Sequence, residues 1–121
     1  MTRILYVDDE ADIREVAQMS LELDPDLEVR TCASGTAAID DATEWKPDLI
    51  LLDVMMPGMD GPAVFAQLKA DPQTKNIPVV FITARTQEAE VRGFCALGAR
   101  GVLAKPFDPM TLAVRVRGFL E

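Results

Sequence analysis

Leu49-Ile50-Leu51-Leu52 runs straight into Asp53, and the reading of this short stretch decides the fold. Four consecutive aliphatic residues without alternation mark a strand covered on both faces, which means a parallel sheet between layers of helix. Working outward, similar runs lie at Ile4 to Val7, Leu27 to Thr31 and Val79 to Thr83, with a weaker one at Gly101 to Ala104. Between them the apolar spacing turns helical. Ile13, Val16, Ala17, Ser20 and Leu21 share one stripe, and Leu112, Val116 and Phe119 share another. Ser34 is placed to cap a helix over Gly35 to Glu44, Asp60 one with Pro62 in its first turn, and Asp108 one carrying Pro109. Gly98 is placed to end the fourth helix. The order is strand then helix, five times over. Right-handed crossovers make this an α/β chain, a doubly wound (βα)5 three-layer sandwich on a central five-stranded parallel sheet.

Length and charge narrow the function. With 121 residues, 49% of them hydrophobic, the expectation is a single domain over residues 1–121 without a linker. The 12 Lys+Arg against 20 Asp+Glu leave a net charge of -8, which argues against direct nucleic-acid binding because phosphate contacts need a basic patch. No apolar run approaches the roughly 20 residues of a bilayer helix, and MTRILYVDDE turns acidic too early for a secretory signal. A cytoplasmic protein without membrane insertion is expected. Cys32 and Cys95, with no histidine in the chain, suit neither a zinc site nor a disulfide framework, and buried reduced thiols are expected.

Sheets of this kind bind ligands outside the carboxyl ends of their strands. Those ends deliver Asp8 and Asp9 after the first strand, Asp53 at the third, Thr83 at the fourth and Lys105 after the fifth. Carboxylates 4 Å apart repel by about 4 kcal/mol per pair at an effective dielectric near 20, so a cation must offset them. Magnesium suits best, since it accepts carboxylates, a carbonyl and several waters, and manganese would substitute. Asp9 and Asp53 are assigned as direct ligands, the Met55 carbonyl as the third protein oxygen, and Asp8 as a partner through water. Lys105 adds a second positive charge. Such a pocket would bind a phosphoryl group and make an aspartate carboxylate a credible nucleophile for phosphoryl transfer. Each residue also has an ordinary reading: acids cap helices, threonine favours strands, and lysine before proline sits in loops. Asp53 has none, because an ionisable residue closing an apolar strand serves no packing purpose. The Met55-Met56-Pro57-Gly58-Met59 segment reads as turn and packing, with Pro57-Gly58 at the turn.

Val7-Asp8-Asp9-Glu10, the Asp53-Val54-Met55-Met56-Pro57-Gly58-Met59-Asp60-Gly61 loop, Ile82-Thr83-Ala84 and Lys105-Pro106-Phe107 together resemble the response-regulator receiver domain of two-component signalling. The resemblance spans the whole chain. It implies a flavodoxin-like fold, with Asp53 as phosphoacceptor from a histidine kinase or histidine phosphotransfer protein, and Asp8 and Asp9 holding magnesium. It further implies that Lys105 contacts the phosphoryl oxygen, that Thr83 swings its hydroxyl towards it, and that the Lys105-Pro106 bond is cis. A downstream effector protein or domain, or a second copy in a homodimer, would dock on the fourth helix, fifth strand and fifth helix. No separate substrate turnover is expected.

Three positions bear on how such a domain would behave. Val102 stands where the family usually carries an aromatic that rotates with the threonine, and a stiff, small side chain predicts a smaller or displaced conformational readout. Met55 and Arg85 flank the expected acyl phosphate, Met55 to exclude water and Arg85 to pair with phosphoryl oxygens, which predicts slow self-dephosphorylation. Other readings fit worse. A haloacid-dehalogenase-type phosphatase would need a second acid at Met55, and an FMN binder a Ser/Thr/Gly-rich loop where this chain is acidic. A phosphorylation-independent docking module on the same fold is the remaining alternative, and it has no need of an acid pocket.

Overall fold

Alternate residues of the apolar runs face opposite ways, and the computed structural model, which describes residues 1–84 and 87–120, shows a helical layer waiting on each side. The strands are β1 (Thr2–Val7), β2 (Leu27–Cys32), β3 (Leu49–Asp53), β4 (Val79–Thr83) and β5 (Gly101–Ala104). They form one parallel sheet in the order β2-β1-β3-β4-β5. The helices are α1 (Ala11–Leu21), α2 (Gly35–Trp45), α3 (Gly61–Ala70), α4 (Glu88–Ala96) and α5 (Leu112–Leu120). Leu5, Val7, Ile50, Leu52 and Phe81 pack with Ala38, Val64 and Leu68 from α2 and α3. Their neighbours Ile4, Tyr6, Leu49, Leu51 and Ile82 pack the other way, on Ala17, Leu21, Leu112 and Val116 from α1 and α5. Two cores explain why the runs do not alternate.

Local chemistry sets the ends of the helices. Ser34 accepts from the Ala37 N–H at 3.2 Å and Asp60 from the Ala63 N–H at 3.0 Å, so both cap as expected. Gly98 takes φ +110 and the Ala99 N–H reaches back to the Phe94 carbonyl at 3.2 Å, closing α4. Asp108 departs from expectation. Its carboxylate accepts from Met110 N–H at 2.9 Å and its carbonyl from Thr111 N–H at 3.1 Å, so the segment is a turn of its own and α5 starts only at Leu112. Val16 departs too: it is 40% exposed, because the stripe that meets the sheet is carried by Ala17, Ser20 and Leu21. Of the two thiols Cys32 is buried, but Cys95 is exposed, since α4 buries none of its residues. The Lys105-Pro106 bond is cis.

Candidate functional site

Strand order reverses at β1, which has β2 on one side and β3 on the other, and the site forms beside that reversal. Asp8 follows β1 and is fully buried, Asp53 ends β3 and is buried, and Lys105 follows β5. The Lys105 ammonium joins them, donating to Asp8 Oδ2 at 3.0 Å and to Asp53 Oδ2 at 3.3 Å. These bonds tie together residues 97 and 52 positions apart in sequence.

The rest of the site holds Asp8 in place. Its Oδ1 accepts from the Glu10 N–H at 3.0 Å, its Oδ2 from the Tyr6 hydroxyl at 3.2 Å, and its carbonyl from Arg14 at 2.8 Å. Asp9 is exposed, and its carboxylate gathers with those of Asp8 and Glu10 so that one oxygen from each lies within 4.8 Å of the others. Glu10 also approaches the Lys105 ammonium at 3.8 Å. Asp53 reaches this cluster through Lys105, while its Oδ1 accepts from the Met55 N–H at 3.4 Å. Thr83 is buried at the end of β4, and its carbonyl accepts the Lys105 N–H at 2.9 Å, which fixes where β5 hands over to the lysine.

Charge is unevenly balanced here. Burial first, and then the Asp8 charge, push the Asp53 carboxyl up to about 6 against the opposite pull of Lys105. Burial pulls the Lys105 ammonium down, but its hydrogen bond to Asp8 and the Asp53 and Asp8 charges outweigh this and leave it above its ordinary range. Burial and the neighbouring Asp8 likewise hold the Tyr6 phenol protonated, so it serves as a donor. Among the described residues Asp8, Glu10 and Asp53 share the Lys105 ammonium and Asp9 gathers beside Asp8 and Glu10, and the hard oxygens left over suit a divalent cation of the magnesium type.

A hollow opens over these groups, walled by Ile13, Met55, Ala84 and Pro106, with Glu10, Asp53 and Lys105 at its polar side. Met55 is 73% exposed, so it stands at the rim. From behind, Gly61 presses on the backbone of Asp53: a Cβ there would lie 2.6 Å from the Asp53 carbonyl oxygen and 2.9 Å from Val54 Cα. The structure therefore brings Asp8, Asp53 and Lys105 into contact, with Asp9, Thr83 and Met55 beside them, and Arg85 lies outside the described residues. Tyr6, Glu10, Arg14 and Gly61 were not anticipated. Tyr6 was open to inference, because positions two apart on a strand share a face and Tyr6 precedes Asp8 by two.

Comparison with known proteins agrees with this geometry. The family profile described as "Response regulator receiver domain" matches residues 4–117. "Response regulator PleD" of Caulobacter vibrioides is 46% identical over 117 residues, covering 95% of this chain and 25% of PleD. "Transcriptional regulatory protein ResD" of Bacillus subtilis is 41% identical over 121 residues, covering 99% of this chain and 48% of ResD. The chain thus spans half or less of these relatives. Among solved structures, the chemotaxis response regulator CheY4 of Vibrio cholerae superposes with a TM-score of 0.89 at 34% identity, covering 98% of each chain.

Proposed function

Since this chain belongs to the response regulator receiver domains of two-component signalling, we propose that Asp53 is the residue that accepts the phosphoryl group. The observation that carries this reading is the buried Asp53 carboxylate held 3.3 Å from the Lys105 ammonium, which also binds Asp8. With its carboxyl pushed up to about 6, Asp53 is ionised at neutral pH and nucleophilic. One of its carboxylate oxygens attacks phosphorus on the phosphohistidine of a histidine kinase or histidine phosphotransfer protein. The O–P bond forms, the P–N bond breaks, and the leaving imidazole takes a proton from solvent. Asp8, Asp9, Asp53 and the Met55 carbonyl would hold Mg2+ or Mn2+, which supplies positive charge to the phosphoryl oxygens. Lys105 shifts from bridging two carboxylates to pairing with a phosphoryl oxygen, and Thr83 offers its hydroxyl to another.

A phosphoryl group adds roughly -1.5 to -2 charges, and a full swing between two states needs about 5.5 kcal/mol of differential binding, so partial switching is expected. The element best suited to move is α4, the one helix without a buried residue among those described, held by Phe94 against Phe81 with ring centroids 4.7 Å apart. Val102 pairs in register with Phe81 and lies half-buried against that cluster, so it pads the space an aromatic would sweep. Output then passes through α4, β5 and α5 to an effector or a second copy. In this reading residues 1–121 work as one cytoplasmic signalling domain without substrate turnover of their own.

The test is direct. Wild type and Asp53→Asn are incubated with Mg2+ and a small acyl phosphate, and intact mass is recorded. One added phosphoryl group on wild type alone is expected. Equal labelling of both, or none with either this donor or a phosphorylated phosphotransfer protein, overturns the assignment in favour of a phosphorylation-independent docking module.

A further inference from the structure

The Tyr6 hydroxyl has no part in the phosphoryl transfer set out above, yet it is fully buried in the sheet. Its neighbours Ile4, Leu5 and Val7 are aliphatic, and phenylalanine would fill the same space, so packing accounts for the ring and leaves the hydroxyl unexplained. That hydroxyl serves one atom. Tyr6 donates to Asp8 Oδ2 at 3.2 Å, the same oxygen that takes the Lys105 ammonium at 3.0 Å, while Asp8 Oδ1 accepts from the Glu10 N–H. The two donors on Oδ2 are built differently. Tyr6 lies in β1, paired with Thr31 of β2 on one side and Leu51 of β3 on the other, and its ring meets Phe107 edge-on with centroids 6.3 Å apart. Backbone and ring are both fixed. Lys105 follows β5, the edge strand, and reaches in on a flexible stem that stays 18% exposed.

We infer that Tyr6 is a positioning residue: it keeps a donor on Asp8 and so frees Lys105 to move to the phosphoryl group. The inference rests on the reading of Asp53 as phosphoacceptor and adds the residue that lets the lysine change partners. A buried carboxylate oxygen left bare is costly. With Tyr6 in place, departure of the ammonium leaves Oδ2 one partner; without it, Oδ2 would hold none among the described residues. The hydroxyl also aims the positive end of its O–H dipole at the acid cluster, which weakens the hold of Asp8 on any cation. Lys105 is therefore easier to release, and Mg2+ is bound less tightly than the carboxylates alone would bind it. A ring that merely filled space would do neither.

Tyr6→Phe keeps the ring and its contact with Phe107 and removes only the oxygen. Calorimetric titration with Mg2+ should show binding about threefold tighter in Tyr6→Phe, while labelling by acyl phosphate at saturating Mg2+ slows about tenfold, the worth of one hydrogen bond to a charged group. Opposite signs mark the role, because a loosened site would weaken both. Tyr6 is the sole tyrosine, so 3-fluorotyrosine puts a single 19F reporter beside Asp8. At saturating Mg2+ its resonance should shift when wild type is labelled and stay in place in Asp53→Asn given the same treatment. Equal Mg2+ affinity and labelling rate in Tyr6→Phe and wild type, a fall in both, or a resonance indifferent to labelling overturns the inference. A wild type that takes no label overturns the Asp53 reading instead. The Mg2+ titration, read without phosphorylation, then still decides whether Tyr6 restrains the hold of Asp8 on cations.

Discussion

Replacing Asp53 with asparagine should make the metal-free protein more stable at neutral pH, although it removes the proposed phosphoacceptor. Asp53 is buried beside Asp8, and its carboxyl is pushed from 3.8 up to about 6 despite the Lys105 ammonium. A carboxyl raised on folding stabilises the protein only in its protonated form. That contribution is fully present below pH 3.8 and is lost as pH rises through about 6. At 1.36 kcal/mol per unit, the ionised group costs about 3 kcal/mol at pH 7.5 relative to a neutral one of the same shape. Asparagine is that neutral group. In a domain of this size the difference corresponds to a Tm about 10 °C higher for Asp53→Asn. Thermal melts in chelator at pH 7.5 and again near pH 4 read the effect, which should shrink to little at the acid end. Added Mg2+ should raise the wild-type Tm and narrow the gap. A variant less stable than wild type at pH 7.5, or a gain independent of pH, would refute the reasoning.

Other substitutions reach the same site by different routes. Lys105→Met removes the cation shared by Asp8 and Asp53, and urea titration at pH 8 should show a loss of about 3 kcal/mol that eases as pH falls towards 6, because Asp53 without the ammonium takes up its proton earlier than in wild type. Gly61→Ala drives a methyl against the Asp53 carbonyl oxygen, so a loss of about 1–3 kcal/mol is expected together with slower labelling by acyl phosphate. Met55→Asn places a polar group at the rim of the hollow and should speed decay of the aspartyl phosphate, followed by loss of phosphoryl mass with time; unchanged or slower decay would count against water exclusion by Met55.

Much of this architecture was legible in the chain because the same residues serve local and global needs. Leu49 to Leu52 could be read as a doubly covered strand from composition alone, and the two cores bear that out. Asp53 betrayed itself as a charge with no packing role. What escaped were relations that depend on distance in space. Nothing near Gly61 in sequence says that the start of α3 touches the backbone of Asp53, and nothing near Glu10 says that Lys105 lies 3.8 Å away. Val16 was misplaced because a helix with two apolar faces has two stripes, and periodicity does not tell which one meets the sheet. Asp108 was misplaced because an aspartate before proline initiates a free-standing turn as readily as a helix.

The ammonium that bridges Asp8 and Asp53 arrives from the far end of the chain, 97 residues after one partner and 52 after the other. Until the last strand docks, the acids of the first and third strands are neighbours without a counterion. A chain emerging from the ribosome therefore cannot hold the Asp8–Lys105–Asp53 arrangement before β5 and Lys105 have been made, however early its first three strands pair. If Asp53 is the phosphoacceptor, competence to receive a signal waits on the docking of β5, and a copy cut short of Lys105 stays silent without any separate mechanism to reject it.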